Sequence, residues 1–358
     1  MRKYYAGITL FKLTGSLLVV LAHIMFFQYI EYIPGQQMQF VLLITRVIVP
    51  CFYVVAGFLA YKGWSHATNS KLYVRKYILR IAWMYAFFCL LFMVEFTVPD
   101  FIQHGLSFGN LYLQAKILFI AVFLNGPFLQ LWFIPPLLFS ILASFWLIEK
   151  QFVRLAAALA LFGFLICQFV SGTLMTVFTS AGGSFPFLHS TYFNYLDLFV
   201  TRYMGFGFTF VLAGVLLAKY EEKFVSSKLV YMLIPAVLLT LAETLFLLRF
   251  AQWSAEFKLA FSILPNTLFM FYGILRIQMN VVQAYHKWIN LFSIVAFCGH
   301  ILFMRLNLFL FDWELASISI AQSLILVLLT LIECLAVTFL FMLMGKNTAL
   351  KPVNRSIP

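Results

Sequence analysis

Lys12 and His23 are residues that hydrocarbon should not hold, yet both lie inside one apolar stretch, residues 7–30, GITLFKLTGSLLVVLAHIMFFQYI. They are eleven positions apart. At about 100° per residue this is three turns plus roughly 20°, so in a helix they share a face, about 16 Å apart along the axis. Ionisable groups inside a span are costly and are functional candidates by default. The structural alternative is that Lys12 snorkels to the interface and His23 hydrogen-bonds a neighbouring helix. Other constellations share this character. Arg46 stands before Pro50 in TRVIVPCF, where the proline frees a backbone carbonyl nearby. Arg46 stays charged and needs a carboxylate or water, and Glu95 is a candidate. Ser293 and His300 are two turns apart on one face, with Arg305 following. Arg202, Glu243 and Glu333 sit in further apolar windows.

The elements that must carry these residues follow from composition. The chain has 358 residues, 64% hydrophobic and only 10% charged, with a mean hydropathy of +0.98. A soluble domain is nearer half apolar and a quarter charged. The long apolar windows predict an all-α polytopic membrane protein, not the weak alternation of a β-barrel. Ten spans are expected, at about 7–30, 38–61, 75–97, 130–149, 152–170, 197–218, 228–249, 257–275, 288–309 and 317–345. They form a single transmembrane domain over residues 1–345 with a short tail, 346–358. The first span is too long for a cleavable signal and lacks a small-residue cleavage site, so it is expected to persist.

Loop charge sorts with this count. One side carries Arg2, Lys3, Lys62, Lys71, Arg75, Lys76, Arg80, Lys150, Arg154, Lys219, Lys223, Lys228, Arg276, Lys287, Lys346, Lys351 and Arg355. The other carries Glu31, Asp100, Asp197, Glu256, Asp312 and Glu314. The positive-inside rule makes the first side cytoplasmic, with both termini inside. The net charge of +12 is thereby explained by topology and not by nucleic acid. By the same count His23, Arg46, Arg202, Glu243, His300 and Arg305 fall in the outer half, and Lys12 with the Arg75 cluster in the inner half. Two segments break the pattern. Residues 111–128 are short, apolar and interrupted by Asn125-Gly126-Pro127, which suggests a re-entrant or interfacial helix on the outer side. Residues 171–194, rich in Ser, Thr, Gly and Phe, read as an outer loop: a connector, or a lid over an acceptor. The five cysteines, at 51, 89, 167, 298 and 334, show no metal or CxxC spacing and read as buried thiols. No metal site is expected.

Five regions carry a resemblance. A basic residue, ten intervening residues and a histidine on the first span, ending GSLLVVLAH, resembles the signature of the acyltransferase-3 family, with Lys12 where Arg is usual. Arg46 with VPCF and then Ala56-Gly57-Phe58 resembles the second motif, with Ala56 in place of Ser. Arg75 and Arg80 in YVRKYILR resemble the family's basic cluster. Gln130-Leu131-Trp132-Phe133 resembles its H-L-W-F element, with Gln130 replacing His; Gln hydrogen-bonds but is no base near neutral pH. Ser293 to His300, SIVAFCGH, resembles the late S-x-x-x-[YF]-x-x-H element.

The resemblance implies a membrane O-acyltransferase of the bacterial inner membrane. The donor would be acetyl-CoA or another acyl-CoA from the cytoplasm, and the acceptor a hydroxyl of a surface polysaccharide or lipid-linked glycan. His23 would be general base or transient acyl carrier, with Arg46 and His300 beside it in catalysis. Lys12, Arg75, Lys76 and Arg80 would hold the donor, whose phosphates suit Arg and Lys; topology anchoring explains the same cluster. Gln130, Trp132, Arg202, Glu243, Ser293 and Arg305 would bind the acceptor, Trp132 serving equally well as an interfacial anchor. A non-enzymatic polysaccharide export protein on the same scaffold is the alternative. A sugar-wide aromatic channel would favour export, and a closed pocket fitting pantetheine the enzyme.

Overall fold

A computed structural model describes residues 4–25, 35–183, 191–251, 260–315 and 317–349. The regular structure among these residues is all helical. The helices are α1 (Ala6–Met25), α2 (Gln36–Thr45), α3 (Ile48–Ser65), α4 (Ser70–Phe92) and α5 (Val98–His104). Then come α6 (Phe108–Ile120), α7 (Ile134–Glu149), α8 (Val153–Val170), α9 (Thr173–Ser180), α10 (Thr191–Phe199) and α11 (Thr209–Lys219). The last are α12 (Glu221–Ser226), α13 (Leu233–Phe250), α14 (Ile263–Arg276), α15 (Asn280–Ala284), α16 (His286–Leu310) and α17 (Ile320–Ala349). Two π-helical turns, Met93–Thr97 and Val200–Phe208, join neighbouring helices without a break, and a third, Ala121–Asn125, ends α6. Nine helical stretches among the described residues are long and apolar enough to cross a membrane, and Ile134–Glu149 is apolar but shorter.

The expected spans are present, with shifted ends. The second is Gln36–Ser65, broken at Arg46-Val47, where Pro50 leaves the Arg46 carbonyl without its helical donor. The third runs from Ser70 to His104; at about 1.5 Å per residue its 35 residues exceed a 30 Å hydrocarbon core. The stretch 171–194 is not simply a loop: Thr173–Ser180 and the start of α10 are helical, while residues 184–190 lie outside the described residues. So do residues 26–34 and 252–259, the tail from 350, and the loop charges Arg2, Lys3, Glu31, Glu256, Lys351 and Arg355. The cysteines are unbridged, four buried and Cys89 half-buried.

Contacts divide the chain into two compact units, separated after Ile33 and after Gly273. In the central unit α3, α7 and α11 run in the same direction. Tyr53 bonds the Phe133 carbonyl at 3.1 Å and Trp64 packs on Phe145, so α3 and α7 rise together. Lys62 pairs with Glu221 at 2.7 Å, and a Cβ on Gly57 or Gly214 would strike the Val211 or Val54 carbonyl of the facing helix. These two glycines let α3 and α11 touch backbone to backbone. Gly214→Val should therefore overpack the crossing and cost roughly 1–3 kcal/mol; a thermal melt in detergent should fall by several degrees, with Gly273→Val, which meets open space, as control.

The same directions settle the segment before α7. If α4–α5 and α6 both crossed, α7 would oppose α3. It does not, so α6 enters and leaves on one side, although Phe108–Asn125 is long enough to span. Lys116, exposed midway along it, fits that assignment. Its inserted end carries carbonyls that need donors in a membrane. Tyr85 bonds Val122 at 2.6 Å, Tyr203 bonds Phe123 at 2.7 Å, and Arg202 bonds Leu124. The re-entrant reading thus has a structural cause. Further on, α14 runs back along α13, since Ser262 bonds Glu243 and Tyr272 bonds Ser227. Counted this way the described residues make ten passages.

Candidate active site

The second unit holds α1, α16 and α17. Tyr4 reaches the Val282 carbonyl, Lys12 reaches Asn290 and His23 meets His300, pairs separated by 278, 278 and 277 positions. A constant separation means that α1 and α16 lie parallel and in register. Each helix then carries a polar face: Lys12, Ser16 and His23 on α1, and Asn290, Ser293, His300 and Asn307 on α16. The last three recur every seven residues, which keeps them on one face with a drift of about 20° per step.

The histidines form the centre of this seam. His300 has no exposed surface. Its Nδ1 lies 2.8 Å from the Ala296 carbonyl and 3.0 Å from that of Phe297. Carbonyl oxygens only accept, so Nδ1 carries the proton and Nε2 of the neutral ring is an acceptor. That Nε2 is 3.1 Å from Nδ1 of His23, which is also 3.0 Å from the Val19 carbonyl. Both neighbours accept, so Nδ1 of His23 donates. Nε2 of His23 is then the nitrogen that keeps its lone pair. The rings are 5.1 Å apart and tilted by 30°. His23 is half-buried, so the pair has a sealed member and an accessible one. An imidazole orientated by a second group, with its outer nitrogen unprotonated, is suited to take a proton or to attack a carbonyl.

Lys12 donates to Oδ1 of Asn290 at 3.2 Å, and Asn290 in turn donates to the His286 carbonyl. Ser293 shares the face of His300, but its hydroxyl bonds Ile289 of its own helix at 2.7 Å. Arg305 is half-buried on α16. Asn307, buried, donates to Glu333 of α17 at 2.8 Å. Sequence reasoning left Asn290 and Asn307 aside and gave Glu333 no partner. The heptad continuing from Ser293 through His300 was a signal for Asn307; no sequence signal pointed to Asn290.

In the central unit Arg202 sits in the π turn before α11, stacks over Trp132 at 5.0 Å, and bonds the Leu124 carbonyl and Asn125. It thus closes the end of the re-entrant helix, where a cation is favourable. Trp132 also packs on Phe206, and Gln130 is buried in the 3₁₀ turn before α7. Glu243 accepts from Thr173 and from the backbone N–H groups of Phe261 and Ser262, 2.8 Å each for the latter two. That ties α9, α13 and the start of α14 together. Arg46 lines a small pocket with Thr240, Thr244, Ser262 and Asn266 among apolar neighbours. Arg75, Lys76 and Arg80 are exposed on the first turns of α4. Among the described residues no three His, Cys, Asp or Glu side chains converge as metal ligands.

Comparison with protein families finds one model, described as an acyltransferase domain of the acyltransferase-3 type, that matches residues 5–343. No curated protein and no solved structure matches the chain.

Proposed function

The chain belongs to the acyltransferase-3 family, and from that premise we propose that it is an O-acyltransferase of the bacterial inner membrane. It moves an acyl group, acetyl in the simplest case, from acyl-CoA on the cytoplasmic side to a hydroxyl of a surface or lipid-linked glycan. Both termini are cytoplasmic in this reading, on the basic side.

The observation that carries the reading is the tautomer of the histidine pair. Nε2 of His23 takes the proton of the acceptor hydroxyl as the oxygen bonds the thioester carbonyl carbon. The C–S bond breaks, and the proton on His23 passes to the leaving thiolate, giving an ester and free CoA. His300 holds the ring and shares the transient positive charge; it is a positioning residue. Lys12, one polar step inward on the same face, supports the donor's charged end. Arg75, Lys76 and Arg80 hold the donor phosphates, as exposed cations on a helix do well.

The donor assignment is tested with purified protein in nanodiscs, by thiol release from acetyl-CoA in the presence of a glycan panel. Arg75→Gln and Arg80→Gln together should raise the KM for acetyl-CoA by about ten-fold or more, as loss of charged hydrogen bonds does, with kcat kept. Acetyl-dephospho-CoA, which lacks the 3′-phosphate, should show a similar penalty on the wild type and little further loss on the double variant. Unchanged KM in the double variant would leave the cluster as a topology anchor.

A further inference from the structure

Glu333 lies within the last span, and an ionisable side chain there is expensive unless it has a task. Its surroundings are specific. Asn307 uses both hydrogens of its amide, one on the Phe303 carbonyl at 3.0 Å and one on Oε2 of Glu333 at 2.8 Å. Both partners accept, which fixes the amide with its nitrogen toward the carboxylate. Among the described residues nothing donates to Oε1 of Glu333 or to Oδ1 of Asn307. Glu333 is half-buried, so the pair borders accessible space. Asn307 is seven residues past His300, about 10 Å further along α16 and away from Lys12. It follows Ser293 and His300 on the same face.

We propose that Glu333, held by Asn307, forms an acceptor subsite that binds a hydroxyl group of an uncharged sugar next to the one being acylated. This rests on the acyltransferase reading above. The Oε1 oxygen of a carboxylate only accepts and so suits a hydroxyl donor, and Glu333 is the more exposed of the two residues. A fixed carboxylate also selects by charge, since a sugar acid or phosphate at this position would meet it with like sign. The pair therefore determines specificity and takes no part in bond making: Asn307 positions Glu333, and Glu333 reads the sugar.

The test measures sugar binding without any acyl donor, on full-length protein in nanodiscs, by calorimetry. The probes are neutral pentasaccharides of glucose, galactose or N-acetylglucosamine, and an oligogalacturonide of the same length. The wild type should bind at least one neutral sugar more tightly than the charged one. Glu333→Gln keeps an acceptor for Asn307, so its melting temperature should hold, while neutral-sugar affinity falls about ten-fold and the margin over the oligogalacturonide narrows. Glu333→Asp, which keeps the charge but withdraws it by one methylene, should fall between. Binding of none of the sugars by the wild type, or unchanged binding in a folded Glu333→Gln, overturns the proposal; so does equal weakening of neutral and charged sugars. Failure of the acyltransferase reading would show separately, as no thiol release from acetyl-CoA with any glycan.

Discussion

His23→Ala is expected to lower acyl transfer by about a thousand-fold, the scale of a lost general base. The protein should remain folded, since His23 is half-buried and α1 keeps its other contacts to α16. His300 cannot replace it, because that ring is sealed and its Nδ1 is committed to the carbonyls of Ala296 and Phe297. The sharper variant is His23→Asn. Its amide nitrogen sits close to where Nδ1 was, so it still donates to His300 and Val19, but it has no base. Loss as large as in His23→Ala, with an unchanged melting temperature, separates chemistry from packing. Wild-type turnover in His23→Asn would remove the imidazole from the mechanism.

His300→Ala should cost about a hundred-fold, less than loss of the base itself, because the His23 ring remains but its tautomer and angle are no longer set. His300→Gln retains an acceptor near the position of Nε2 and should recover to within about ten-fold of wild type. A merely structural role would not order the variants this way, since Ala and Gln both remove the ring packing. Nitrogen-15 spectra of histidine-labelled protein give an independent readout. In the wild type His23 should show a protonated Nδ1 and a bare Nε2; in His300→Ala the two tautomers should mix. Identical His23 spectra in both proteins would deny His300 its role.

Much of this site was legible in residue spacing. The eleven-residue interval on α1 puts Lys12 and His23 on one stripe, and the seven-residue interval on α16 does the same for Ser293 and His300. What spacing cannot give is the partner helix. The register between α1 and α16 depends on about 280 intervening positions, so the meeting of His23 with His300, and of Lys12 with Asn290, is a tertiary fact. Charge alone also conceals its use. Arg202 and Glu243 looked like acceptor ligands because both are ionisable and intramembrane; in the structure one closes the carbonyl end of the re-entrant helix and the other gathers the N–H groups before α14. Backbone atoms are among the partners of both, and these carry no sequence signature. The span count was readable because charge sorting obeys parity, and the parallel run of α3, α7 and α11 supplies the physical check. Helix ends were less readable where a helix runs on past its apolar window, as at Val98–His104 beyond the span expected to end at residue 97.

The most direct measurement follows a labelled acetyl group. Purified wild-type protein in nanodiscs is given acetyl-CoA labelled in the acyl carbon together with a panel of surface and lipid-linked glycans. The account predicts that label appears as an ester on at least one glycan, with one thiol released per ester formed, and that neither appears with His23→Asn. No thiol release with any glycan, combined with movement of a glycan across vesicles containing the same protein, would contradict it and make the chain an export protein.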